Sequence, residues 1–211
     1  MSTPAPLPFV RLYEPKDFDK LLRVCEVTVD PVVAQAPDLT LASAIWCAPY
    51  PILNPESSFV LDDGNGTAVG YLVGAPSTRA FIDKYQKEYI PRIDSVRFPL
   101  PSTEEGKRVK EELDGLSWML DVIYDPTVMD TELIDEGFQA HFHIDLLPEY
   151  QSRGYGPKLL DAFSEIVRKD GGTGVHVAMA PGNDRAGVWY ERNGFVRKYV
   201  KRGGRWMAKK L

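Results

Sequence analysis

The chain has 211 residues, 44% of them hydrophobic, and a formal net charge of -5 at pH 7. That length buries a sizeable core in one domain, 1–211, with room for one insertion. An acidic balance argues against general nucleic-acid binding, which needs clustered Lys and Arg to displace counterions, and no apolar run approaches the ~20 residues that span a bilayer.

In chain order, MSTPAPLPF lacks a positive n-region and an apolar h-region, so no secretory signal is expected. Residues 1–8 read as a loose Pro-rich arm, and Phe9, Val10, Leu12 and Tyr13 as a first strand. Phe18, Leu21, Leu22 and Cys25 recur at helical spacing, predicting an amphipathic helix over 15–29 opened by Pro15. Cys25 and Cys47 show no metal or redox spacing, so no metal is expected. A buried reduced thiol at Cys25 points to the cytoplasm. A short helix is expected near Leu41–Trp46, after which Pro49, Pro51 and Pro55 are read as forcing extended or turn backbone.

Ser58–Leu61 and Ala68–Val73 flank Asp62-Asp63-Gly64-Asn65-Gly66, a hairpin pattern, with Gly74 allowing a bulge or a close backbone approach. Asn65-Gly66-Thr67 is read as turn chemistry rather than a glycosylation site. Residues 75–135 exceed what a minimal α/β domain needs. They hold helical patterns (Phe81, Ile82, Tyr85, Tyr89; Val109, Leu113, Leu116, Leu120) and a charged outer face, and are read as an insertion over one side of the core. Its Tyr and Phe content suits either an acceptor pocket or a homodimer contact.

Gln139–Leu147 reads as a strand with His141, His143 and Asp145 on one face and Phe142, Ile144 and Leu146 on the other. Pro157–Lys169 reads as a helix, Gly174–Ala180 as a strand and Asp184–Arg192 as a helix closed by Gly194. Phe195–Val200 and Trp206–Leu211 form a terminal hairpin around Gly203-Gly204. This order predicts an α/β fold with a sheet of mixed direction. The basic residues of the last segment (Arg197, Lys198, Lys201, Arg202, Arg205, Lys209, Lys210) are either a solvated face or part of an anion site.

Between strand and helix, Gly154 and Gly156 sit where unpaired N–H groups and the helix dipole favour an anion, with Pro157 in the first helical position and Arg153 adding charge. Pyrophosphate suits such a cradle. The third glycine of a dinucleotide fingerprint is missing, and no Gly-Lys-Ser/Thr occurs.

Gln151-Ser152-Arg153-Gly154-Tyr155-Gly156 resembles the Q/R-x-x-G-x-G/A signature of the GCN5-related N-acetyltransferase (GNAT) superfamily. Asn183 to Phe195 resembles its second signature, an Asn followed by a helix ending in Tyr-x-x-x-Gly-Phe. SSFVLDDGNGTAVGYLVG, AFIDKYQKEYIPRI, HFHIDLL and VWYERNGF further resemble the C-terminal acetyltransferase-like domain of O-GlcNAcase and its free-standing microbial relatives. The resemblance implies a GNAT fold: a mixed, mostly antiparallel sheet, helices on both faces, and a helical insertion before the central strand.

It also implies an acetyl-CoA cofactor and transfer to an amine acceptor. Strand 141–147 would splay from 174–180, with pantetheine between them, its amides paired near Asp145, Leu146 and Leu147. Gln151, Ser152, Arg153, Gly154, Tyr155 and Gly156 would take the pyrophosphate. Tyr190 would protonate the leaving thiolate or simply pack beside Trp189. Asn183 would meet the pantetheine arm, cap the following helix, or both. Asp145, His143 and His176 are candidates for the base. Direct attack is expected because neither cysteine lies near the motifs in sequence. A non-catalytic acyl-CoA-binding or protein-interaction module on the same fold is the alternative.

Overall fold

The computed structural model of the protein describes residues 6–180, 182–201 and 204–211. Most of the expected N-terminal arm (1–5) and Gly203 of the expected turn lie outside the described residues. Seven strands, β1 (Phe9–Leu12), β2 (Ser58–Asp62), β3 (Ala68–Ala75), β4 (Ala140–Leu146), β5 (Gly174–Met179), β6 (Val196–Lys201) and β7 (Gly204–Lys210), form one sheet of order β1-β2-β3-β4-β5-β7-β6. All neighbouring pairs are antiparallel except β4 and β5, which run parallel.

Alternation along the strands sends side chains to two cores. On one face Phe59, Leu61, Leu72, Phe142 and Val177 pack against Leu159, Leu160, Phe163 and Val167 of α8 (Tyr155–Lys169) and against Tyr190 of α9 (Asp184–Arg192). On the other, Val60, Tyr71, Val73 and Ala75 meet Leu21, Val24 and Cys25 of α1 (Phe18–Thr28), then Tyr50 and Phe81. The helices after α1 are α2 (Thr40–Trp46), α3 (Pro49–Leu53), α4 (Thr78–Lys84), α5 (Glu104–Leu113), α6 (Trp118–Val122) and α7 (Glu132–Asp135).

The region 75–135 does lie over this second face, where Phe98, Leu113, Leu116, Met119, Leu120 and Ile123 share a core with Leu41 and Ile45 of α2. Several of its aromatic residues serve the core. Tyr85 and Tyr89 are buried and donate to the carbonyls of Ile123 (3.1 Å) and Ala44 (2.7 Å), and Phe81 stacks on Tyr50 with ring centroids 4.6 Å apart. The charged face of α5 is exposed, with Lys107–Glu104 and Arg108–Glu105 ion pairs at 2.6 and 2.5 Å.

Two backbone expectations need correction. Pro49 and Pro51 do not force extended chain; both sit in the first turn of α3, where a missing N–H has no intrahelical partner to lose. Pro157 is not the first helical position, because α8 starts at Tyr155 with Gly154 as its N-cap at φ +81°. Gly74 serves close approach rather than a bulge, since a Cβ there would lie 2.6 Å from the Phe163 ring. The irregularity of that hairpin falls at Leu61/Asp62 instead.

Candidate active site

β4 and β5 pair only through Ala140↔Val175 and His141↔His176. Beyond that, β4 stays registered to β3 as far as Gly70↔Leu146, and β5 stays with β7 as far as Met179↔Arg205. The two strands therefore part, leaving a wedge between Phe142–Leu146 and Val177–Met179. The splay expected between 141–147 and 174–180 is present.

The loop after β4 is shaped by two residues in left-handed conformation, Ser152 (φ +59°) and Gly154 (φ +81°). Among the described residues no backbone hydrogen bond is made by the N–H groups of Ser152, Arg153, Gly154, Tyr155 or Gly156. Five unpaired backbone donors thus lie in succession at the N-terminus of α8, with Arg153 exposed among them. A Cβ on Gly154 would meet nothing within 4 Å, so the space in front of it is open. Gly156 differs: a Cβ there would lie 2.9 Å from Cζ2 of Trp189, so its lack of a side chain serves packing of α8 on α9 rather than room for a ligand.

Gln151 ties the loop to the strand, its Nε2 donating to the Leu146 carbonyl at 2.8 Å. The Leu147 N–H donates to Val69 O (3.0 Å) and the Leu147 carbonyl accepts from Tyr150 N (2.9 Å). The Leu147 N–H is therefore taken up by the continuing β3–β4 ladder and is not free for the wedge, while its carbonyl keeps one lone pair.

His141, His143 and Asp145 share one face, as expected, but their surroundings differ. His141 is buried between Tyr50 Oη (2.9 Å from Nε2) and Thr78 Oγ1 (2.8 Å from Nδ1). Thr78 spends its only proton on the Gln139 carbonyl at 2.7 Å, so it accepts from His141 Nδ1–H, and Tyr50 then donates to Nε2. His176 is fixed by the Phe138 carbonyl, 2.6 Å from Nδ1. Burial lowers His143 and His176 to about 4, leaving both neutral and weakly basic at pH 7. Burial instead raises Asp145 to about 7, against the pull of a hydrogen bond from Tyr71 Oη (2.6 Å to Oδ2). Of the candidate bases, only Asp145 titrates where a base is useful.

Tyr190 lies on the opposite face, its ring 5.1 Å from Phe195 and 5.0 Å from Trp189. The ring packs, and the hydroxyl makes no hydrogen bond among the described residues. Burial and the Asp145 charge push the phenol further up, so it stays protonated. Asn183 caps α9 through Oδ1, which accepts from Ala186 N at 3.1 Å, and its Nδ2 makes no bond among the described residues.

The acetyltransferase (GNAT) family profile matches residues 121–195, the stretch holding the wedge, the loop and α9. A solved structure of a protein named SsHAT is similar at 30% identity over 97% of this chain and 98% of that one, with a TM-score of 0.86. The chain belongs to the acetyltransferase (GNAT) family. More distant GNAT-like structures share the fold alone. A PaiA N-acetyltransferase from Thermoplasma acidophilum, in complex with coenzyme A, is 12% identical (97% and 99% covered, TM-score 0.57). An agmatine N-acetyltransferase mutant is 13% identical (97% and 99% covered, TM-score 0.58).

Within this GNAT chain, four residues beside the site lie outside the two motifs. Tyr71 is the register partner of Asp145 across the β3–β4 ladder, and Thr28 at the end of α1 lies beside the same carboxylate. The signal for Tyr71 was its place in an alternating strand, but strand registers are not readable from one sequence. The third is Cys25, and Cys47 joins it: both thiols lie against Tyr71. The expectation that the cysteines stand apart from the motifs fails in space, because α1 and α2 fold back over β3. Both are free and buried, and burial pushes Cys25 up to about 12.

Proposed function

We propose that the chain is an acetyl-CoA-dependent N-acetyltransferase that delivers acetyl to an amine, a small amine or a lysine side chain, by direct attack. The observation that carries this reading is the run of five unpaired N–H groups in the loop that follows β4, at the end where β4 parts from β5, together with Asp145 on β4 and Tyr190 on α9. Family membership supports acetyl-CoA as the cofactor. When bound, it supplies an activated acyl group and a thiol leaving group.

The chain's own residues divide the remaining work. Ser152 to Gly156 present donors to the pyrophosphate, and Arg153 offsets its charge. Gln151 keeps that loop against Leu146 rather than contacting phosphate itself. Asn183 Nδ2 and the unpaired edge of β4 remain for the pantetheine amides. Asp145 holds a carboxylate that accepts the amine proton, directly or through water, in the pH range where amines are normally cationic. Tyr190 keeps a phenolic proton at Oη, suited to a departing thiolate.

A covalent acyl-cysteine route finds no support, since both thiols are buried and their charged forms are strongly disfavoured. Their free state supports a reducing compartment such as the cytoplasm. Among the described residues no helix is long and apolar enough to cross a membrane. The segments shared with the O-GlcNAcase acetyltransferase-like domain support placing the chain with its free-standing relatives.

The test is acetyl-CoA binding by calorimetry, joined to thiol release across a panel of amines. Saturable binding with amine-dependent release supports the enzyme. Tight binding with no release for any amine would favour a non-catalytic acyl-CoA module, and no binding would remove both readings.

A further inference from the structure

Tyr71 is fully buried in the core between the sheet and α1. Its hydroxyl has one proton, and that proton is committed to Asp145 Oδ2 at 2.6 Å. Cys25 and Cys47 lie beside the same hydroxyl, but a thiol sulfur is a far weaker acceptor than a carboxylate, so the Tyr71 proton stays directed at Asp145.

We infer that Tyr71 is the positioning residue for the proton acceptor of the reaction, holding Oδ2 of Asp145 so that the second oxygen is the one that takes the amine proton. This rests on Asp145 acting as that acceptor. Thr28, at the end of α1, lies beside the same carboxylate and, like Tyr71, favours its ionised form.

Tyr71 from β3 and Thr28 from α1 adjoin the Asp145 carboxylate, Cys25 of α1 and Cys47 after α2 lie by Tyr71 and feel its charge, Tyr190 of α9 feels it from the other face of the sheet, and His143 lies two residues back on its own strand. No lysine or arginine is among them. The balance between burial on one side and Tyr71 and Thr28 on the other accordingly sets the protonation of Asp145.

The decisive variant is Tyr71→Phe, which keeps the ring in its packing. Carbon-13 NMR of Asp-labelled protein, with Asp145→Asn to assign the resonance, reads the Asp145 midpoint without needing an acceptor. In Tyr71→Phe that midpoint should rise by roughly one pH unit, because a donor to the charged form is lost. The ascending limb of kcat/KM for amine-dependent thiol release should move with it, while acetyl-CoA affinity stays unchanged. An unmoved midpoint in a folded variant overturns the inference. Should Tyr71→Phe fail to fold, Tyr71→3-fluorotyrosine keeps the shape and strengthens the donor; the midpoint should then fall, and one that rises or stays fixed overturns the inference. If the midpoint shifts as expected but Asp145→Asn retains full transfer, the positioning bond stands while the assignment of Asp145 as acceptor fails.

Discussion

Gly156 on α8 faces the indole of Trp189 on α9 so closely that a Cβ would sit 2.9 Å from Cζ2. One glycine of the signature loop therefore joins two helices, while its neighbour Gly154 faces open space. The two should respond differently to alanine. Gly156→Ala should cost about 1–3 kcal/mol through overpacking against a half-buried indole. Gly154→Ala should cost roughly 1–2 kcal/mol for its left-handed backbone, and in addition should weaken acetyl-CoA binding. Urea denaturation and calorimetry together separate the effects; equal losses of affinity and stability in both variants would contradict this division.

Tyr190→Phe removes only an unpaired hydroxyl from a ring held by Phe195, Trp189 and Phe142. Stability and acetyl-CoA affinity should hold, while kcat for transfer falls about a hundredfold or more. A variant with full kcat would exclude Tyr190 as the acid.

Transfer should rise with pH through about 7, the value to which burial lifts Asp145, because the carboxylate form is the working one. Asp145→Asn should abolish that limb together with most of the rate. His143→Asn should leave the limb in place, since His143 titrates near 4. A limb that follows His143 instead would reassign the base.

The same groups act oppositely on stability. His143 and His176 have folded values of about 4, so the unfolded chain takes up protons first, and stability is lost as pH falls from about 6.5 to 4. Asp145, raised to about 7, binds its proton first in the folded state and is stabilising on that acid side. Denaturation at several pH values should therefore show His143→Asn losing less stability on acidification than the unmodified protein, and Asp145→Asn losing more.

His141 has both ring nitrogens satisfied in a site with no water-exposed alternative. Thr78→Val should orphan the His141 Nδ1–H and should cost about 1–3 kcal/mol, with Tyr50→Phe costing less because it leaves only an acceptor unfilled. A urea midpoint unchanged in Thr78→Val would show that the histidine finds another partner.

Local chemistry was enough to determine much of this protein. Alternation and turn residues located the strands and the hairpin, the glycines marked the strand-to-helix loop, and Asn183 read as a cap is one. These features depend on neighbours a few residues away, so a single sequence carries them. The parting of β4 from β5, the bond from Tyr71 to Asp145, the cysteines behind it and the Trp189 face of Gly156 join residues distant in the chain. Only the strand register and the burial created by α1, α2 and α9 brought them together. Burial also set the protonation of the candidate bases, because a carboxylate and an imidazole on the same strand face respond to desolvation in opposite directions.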